Sequence, residues 1–107
     1  MVFLIIHNPT DKTPEKRLSQ IDGAVKAMGS WSDRLDNTWI LETKRQNART
    51  IRDQLKQFIP EGEDKLFVAR ISSHWSGRNM GRGFPDWLKK RDFGTFAQPK
   101  EDGDKKN

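Results

Sequence analysis

The sequence contains no cysteine and only two histidines. Disulfide bonds and thiolate metal sites are therefore excluded, and two histidines alone cannot build a zinc site of the usual four-ligand kind. The longest apolar run, residues 2–6, is too short to cross a bilayer, and it lacks the basic start and small-residue cleavage site of a signal peptide. We therefore expect a cytoplasmic protein with no membrane partner and no cofactor.

Charged residues make up 33% of the 107 residues, and apolar residues another 33%. This balance is typical of a single small domain with a narrow core and a wide solvated surface. The formal net charge is +5, and all of the excess lies in residues 1–90, because residues 91–107 hold four basic and four acidic groups. A basic domain of this size could bind nucleic acid, an acidic protein or an anionic surface, and charge alone does not choose among them.

Hydrophobic periodicity predicts elements in the order strand, helix, strand, strand, helix, strand. The first strand is a continuous apolar run, which is typical of a strand buried on both faces. Each helix has one apolar stripe at steps of three and four residues, and the first has an N-cap at Thr13 and a C-cap at Gly29. The second strand is the weakest of these predictions. The predicted ranges are 2–6, 14–28, 31–36, 38–43, 47–59 and 66–71.

This order is that of the split βαβ, or ferredoxin-like, arrangement. In this α+β fold, two helices pack on one face of an antiparallel βαββαβ sheet. The first and last strands are antiparallel neighbours there, so His7 and His74, which each follow one of them, lie at opposite edges. A short helix is predicted near residues 85–90. We expect one domain over residues 1–97 and a disordered polar tail over residues 98–107, which has no apolar residue.

Two groups of basic residues are the candidate nucleic-acid contacts. Along the second helix, basic residues recur at i, i+4, i+7 and i+11 and therefore lie on one side of it. Such a ridge either contacts successive phosphates of a nucleic-acid backbone, without sequence preference, or is only a solvated face of the helix. The second group lies in a glycine-rich loop whose spacing matches neither the P-loop nor the dinucleotide-binding pattern. The predicted contacts are, first, Arg45, Arg49, Arg52 and Lys56, and second, Arg78 and Arg82.

Three aromatic residues, Trp75, Phe84 and Trp87, accompany the second basic group. Basic and aromatic side chains together are typical of single-strand binding, but such rings also serve as core or interface anchors. At the end of the first strand, His7 is a candidate catalytic acid or base, since imidazole titrates near neutrality; a structural histidine is the alternative. The aspartates show no paired motif, so no metal site is predicted.

Four phrases of the sequence, taken with the order of elements, resemble a known family. They are "FLIIH" followed by a helix, "WSDRLDNTWILET", "ARTIRDQLKQFIPEGEDKLFVARIS" and "HWSGRNMGRGFPDWLKK". Over roughly residues 1–90 the chain resembles the CRISPR-associated Cas2 proteins, the small dimeric partners of the spacer integrase. The SinR-type proteins look like the nearest branch, and the VapD toxins like more distant relatives.

The resemblance implies a ferredoxin-like subunit that pairs two-fold through its sheets, with the segment after the last strand joining the partner. Trp75, Phe84 and Trp87 would then be dimer-interface or sheet-cover anchors. Members of the family bind nucleic acid on basic faces, and some are metal-dependent nucleases in which an aspartate ends the first strand and holds a divalent metal. That position is His7 or Asn8 here, so the usual carboxylate is missing.

These observations lead to a first hypothesis, a homodimer that binds nucleic acid or scaffolds a complex on it. The enzyme alternative is a toxin-like endoribonuclease in which His7 activates a 2′-hydroxyl without a metal. A third class is a protein-interaction module that regulates or antagonises a host complex.

Overall fold

The structure is a computed structural model, and it describes residues 1–44 and 46–96. Its elements are β1 (Val2–Asn8), α1 (Glu15–Lys26), β2 (Ser30–Leu35), β3 (Thr38–Glu42), α2 (Ala48–Lys56), β4 (Lys65–Ile71) and α3 (Phe84–Lys89). The predicted order of strands and helices is confirmed. The predicted tail over residues 98–107 lies outside the described residues.

The four strands form one antiparallel sheet in the order β2-β3-β1-β4, as the ferredoxin-like prediction requires. β1 is central, with Leu4 opposite Ile40 of β3 and opposite Ala69 of β4. Residues that face each other across strands point to the same side, so these three share one face of the sheet. β2 is a true strand, and it reaches β3 through a tight turn in which Asn37 adopts a φ of 52°.

The main core lies between the two longer helices and the other face of the sheet. Alternate residues of the central strands meet the apolar stripes of α1 and α2 there, because strand side chains alternate and helix side chains recur every three to four residues. None of the described helices is long and apolar enough to cross a membrane. The buried members of this core are Phe3, Ile5, Ile21, Val25, Trp39, Leu41, Ile51 and Leu55.

The segment after β4 folds back over the second face of its own sheet, which is the face opposite α1 and α2. Val2 is buried there against Phe84 and Leu88 of α3. Farther along, the guanidinium of Arg91 lies 3.2 Å from the Glu42 carboxylate, which also accepts a backbone hydrogen bond of 2.7 Å from residue 92. Within the chain, this segment is therefore a cover for one end of the sheet.

The other end of this second face is open. One residue of each strand points outward there, and the four lie opposite one another in register: Leu35, Thr38, Ile6 and Phe67. We call these four residues the open row. The exposed fraction is 47% for Leu35, 37% for Ile6 and 60% for Phe67. The prediction that β1 is buried on both faces is therefore wrong at Ile6, because the covering segment reaches only the Val2 end.

The predicted ends of α1 need two corrections, and α2 ends at Lys56 rather than at residue 59. α1 begins after Pro14 rather than Thr13 and has no side-chain cap, because the Thr13 hydroxyl bonds elsewhere. The helix ends at Lys26, so Gly29 is not its C-cap. Gly29 instead permits a close backbone approach, since a Cβ there would collide with the carbonyl oxygen of Glu42.

Candidate nucleic-acid interface

The α2 ridge consists of Arg49, Arg52 and Lys56, which are all exposed on one flank of the helix. Arg52 donates from Nη2 and Nε to Asp53 Oδ1 at 2.7 and 3.1 Å, and Lys56 Nζ lies 3.5 Å from the same oxygen. The hydrogen bond from Arg52 holds the pKa of Asp53 below its usual range. The ridge therefore carries three cations against one ionised carboxylate. Arg45, the fourth predicted contact on this helix flank, lies outside the described residues.

The loop between β4 and α3 exposes Arg78 and Arg82. Arg34 of β2 fixes this loop by donating from Nη1 to the Met80 carbonyl at 3.2 Å and from Nη2 to the Arg82 carbonyl at 3.1 Å. Gly81 makes this contact possible, because its φ is 101° and a Cβ there would collide with the guanidinium of Arg34. The glycine-rich loop is thus shaped around an arginine of its own chain.

The two basic groups lie on opposite sides of the sheet. α2 packs on the face of the main core through Ile51 and Leu55, whereas the loop and α3 pack on the opposite face through Met80 and Phe84. One subunit therefore does not combine the ridge and the loop into a single continuous surface.

His7, the predicted catalytic residue, is buried at the end of β1, with 1% of its side chain exposed. Its Nε2 lies 2.7 Å from Oδ2 of Asp64, on the connection that leads into β4. The other oxygen of Asp64 accepts from the Thr13 hydroxyl at 2.7 Å and from Arg17 Nη1 at 2.9 Å. We call these four residues the Asp64 cluster; Arg17 also pairs at its margin with Glu63, at 3.0 Å.

The Asp64 cluster stabilises an ionised carboxylate that has no exposure to solvent. Burial acts to raise the pKa of Asp64, but hydrogen bonds from His7, Thr13 and Arg17 outweigh it, so the pKa lies below its usual range. A buried carboxylate without such partners would be very costly. The cluster therefore joins β1, the start of α1 and the α2–β4 connection. His7 takes part in holding these three segments together.

The residues at the end of β1 do not fit the divalent metal that the family resemblance implies. Neither His7 nor Asn8 supplies a carboxylate, and the carboxylate beside His7, that of Asp64, uses both oxygens on protein donors. Across residues 1–44 and 46–96, no three histidine, aspartate or glutamate side chains come together in a group that could hold a metal ion.

The three predicted interface aromatics meet within the chain. The ring centroid of Phe84 lies 6.4 Å from that of Trp75, in an edge-to-face arrangement, and 6.3 Å from that of Trp87, in a stacked arrangement with the planes inclined by 28°. Phe84 is buried, so the group anchors α3 on its own sheet. Contact of these rings with a partner subunit stays a prediction.

The comparisons with known proteins give a structural match. No protein-family model and no curated protein sequence matches the chain. The crystal structure of Streptococcus pyogenes Cas2 at pH 6.5 is similar to it, with a TM-score of 0.57 and 19% sequence identity over 70% of this chain and 90% of that chain. The chain has a Cas2-like fold. The SinR-type and VapD relationships receive no support from these comparisons.

Proposed function

We propose that this protein is a homodimeric, Cas2-related subunit that binds nucleic acid, or scaffolds a complex on it, through exposed basic side chains. The observation that carries the proposal is the α2 ridge, where Arg49, Arg52 and Lys56 outnumber the single carboxylate within reach. Exposed cations on one flank of a helix suit contacts to phosphates, which give affinity without reading sequence. The Cas2-like fold supports the same class.

The open row supports the homodimer. Leu35, Ile6 and Phe67 form an exposed apolar strip across a sheet face that the described chain leaves uncovered at this end. In a two-fold dimer, the same strip of both subunits would pack together. The family resemblance implies pairing of this kind, through the sheets.

The double variant Arg49→Ala/Lys56→Ala is expected to bind nucleic acid more weakly and with less salt dependence. Each lost phosphate contact removes about 0.9 from the slope of log K against log salt concentration, so the slope should fall by about 2. Fluorescence anisotropy titrations of a short duplex at several salt concentrations measure it.

The matched control is Lys12→Ala/Lys16→Ala, which removes the same charge from two exposed positions before and in α1. This control is expected to lower the affinity only slightly through the net charge. An equal loss of slope in both double variants would contradict an assignment to the ridge. A wild-type protein that binds no nucleic acid at low salt would contradict the proposed function itself.

The endoribonuclease alternative has weaker support in the geometry. His7 is 1% exposed, and its Nε2 is engaged by Asp64. A substrate hydroxyl would therefore reach the imidazole only if the end of β1 opened. The protein-interaction alternative also stays a prediction.

A further inference from the structure

A groove of about 310 Å³ runs along the outer edge of the sheet, between β2 and α3. β2 is an edge strand, since β3 is its only neighbour in the sheet order of the described chain. Trp31 and Arg34 line the groove from β2, and Gly83 and Trp87 line it from the α3 side. None of these residues belongs to the α2 ridge or to the Asp64 cluster.

Two indole rings border this groove, and each has a cation against one of its faces. Trp31 is 40% exposed, and Lys26 Nζ lies 4.2 Å from its ring centroid. Trp87 is half-buried, and the guanidinium carbon of Arg91 lies 4.8 Å from its ring centroid. An exposed tryptophan offers a stacking surface for a base. The two cations are already paired with carboxylates, Lys26 with Asp22 and Asp33 at 3.1 Å each and Arg91 with Glu42 at 3.2 Å, so the attraction for a phosphate must come from other side chains.

Two exposed arginines at the groove, Arg34 and Arg82, form no salt bridge with a carboxylate of the described residues and are the cations available to an anionic ligand. Arg34 holds the carbonyl of Arg82 at the groove's α3 side, so the exposed Arg82 side chain starts next to Gly83 of the lining. The acidic residue of the lining, Asp33, already pairs with Lys26 at 3.1 Å. The groove thus has aromatic walls and a basic margin.

We propose that this groove binds single-stranded nucleic acid, with an unpaired base stacked on Trp31 and the adjoining phosphate on Arg82. The inference rests on the proposed function and specifies its ligand. Bases in a duplex are stacked on one another, so an unpaired strand is the form that presents base faces to an exposed indole. The α2 ridge, which lies outside the groove lining, would bind phosphates of either form.

Trp31→Ala is expected to weaken binding of a thymidine-only single strand by about five-fold or more, which is the usual loss for one stacked base. Binding of a blunt duplex of the same length should not change. Trp31→Phe, which keeps a ring, should recover most of the affinity. Fluorescence anisotropy measures all of these, and thermal melting checks that each variant is folded.

Phe96→Ala is the matched control, because Phe96 is also 40% exposed and also carries a cation, with Arg70 3.7 Å from its ring centroid. It lies outside the groove lining and should bind both ligands as the wild type does. A measurement without variants is the tryptophan emission of the wild type, which the single strand should quench and the duplex should not.

The outcomes separate this inference from the proposed function. Unchanged single-strand binding by Trp31→Ala, with duplex binding retained, overturns the groove and leaves the proposed function standing. An equal loss for both ligands, or the same loss in Phe96→Ala, also overturns the groove. A wild type that binds neither ligand contradicts the proposed function and, with it, this site.

Discussion

Replacing Asp64 by asparagine is expected to lower the free energy of unfolding by about 3 kcal/mol. The carboxylate is fully buried, and it accepts hydrogen bonds from His7, Thr13 and Arg17. An amide keeps the shape but has one acceptor oxygen for these donors, and it leaves Arg17 without its buried counter-charge. Urea denaturation of the two proteins, followed by far-UV circular dichroism, measures the difference.

The control for this prediction is Asp53→Asn. Asp53 also pairs with an arginine, but its side chain is 45% exposed. Solvated pairs of this kind contribute little, so no measurable change is expected. Equal effects of the two substitutions would show that the Asp64 cluster does not stabilise the fold as its geometry indicates.

The same carboxylate should make the free energy of unfolding depend on pH in the acidic range. The pKa of Asp64 is lower in the folded protein than its usual value, so the unfolded chain binds the proton more tightly. The stabilisation is present above the unfolded-state pKa of about 3.9 and is lost as the pH falls through the lower folded-state value. When the pH is lowered across that range, the free energy of unfolding of the Asp64→Asn protein should therefore fall less than that of the wild type.

Phe67→Glu is expected to convert the proposed dimer into a monomer. Phe67 is 60% exposed and lies opposite Ile6 in the open row, so the substitution has little effect on the isolated subunit. In a dimer packed through this row, the carboxylate of each introduced glutamate would be desolvated against apolar side chains. Because desolvating a charge costs several kcal/mol, self-association should weaken about a hundred-fold or more.

Sedimentation velocity at several protein concentrations measures this change. Phe96→Glu is the matched control, since Phe96 is an exposed ring outside the open row, and it should associate like the wild type. A monomeric wild type at every concentration, or a Phe67→Glu protein that remains dimeric, would show that the open row is not the dimer interface.

Much of the candidate ridge could be predicted from the spacing of residues along one helix. Positions three, four and seven apart share a helix side, so Arg49, Arg52 and Lys56 were expected on one flank, and they are exposed there. The contact of Arg52 and Lys56 with Asp53 lowers the net charge of the ridge. Their role in binding is a proposal that rests on this arrangement.

The Asp64 cluster could not be predicted from the sequence. Asp64 follows Glu61 and Glu63 in a polar connection, and no local pattern distinguishes it from them. Its partners His7 and Thr13 are 57 and 51 residues away in the chain. The groove between Trp31 and Trp87 depends on a similarly distant approach, because α3 must fold back along the edge strand.

The order of strands and helices and the side of each helix that faces the core could be read from the sequence alone. Both follow from local periodicities of two and about 3.6 residues, which each segment carries within itself. The ferredoxin-like sheet was then predicted from that order of elements. Three other features appear only in the folded chain: His7 is buried on a carboxylate, the segment after β4 covers its own sheet, and Ile6 and Phe67 stay exposed. Those outcomes depend on which distant segments meet, and the packing of the whole chain sets that.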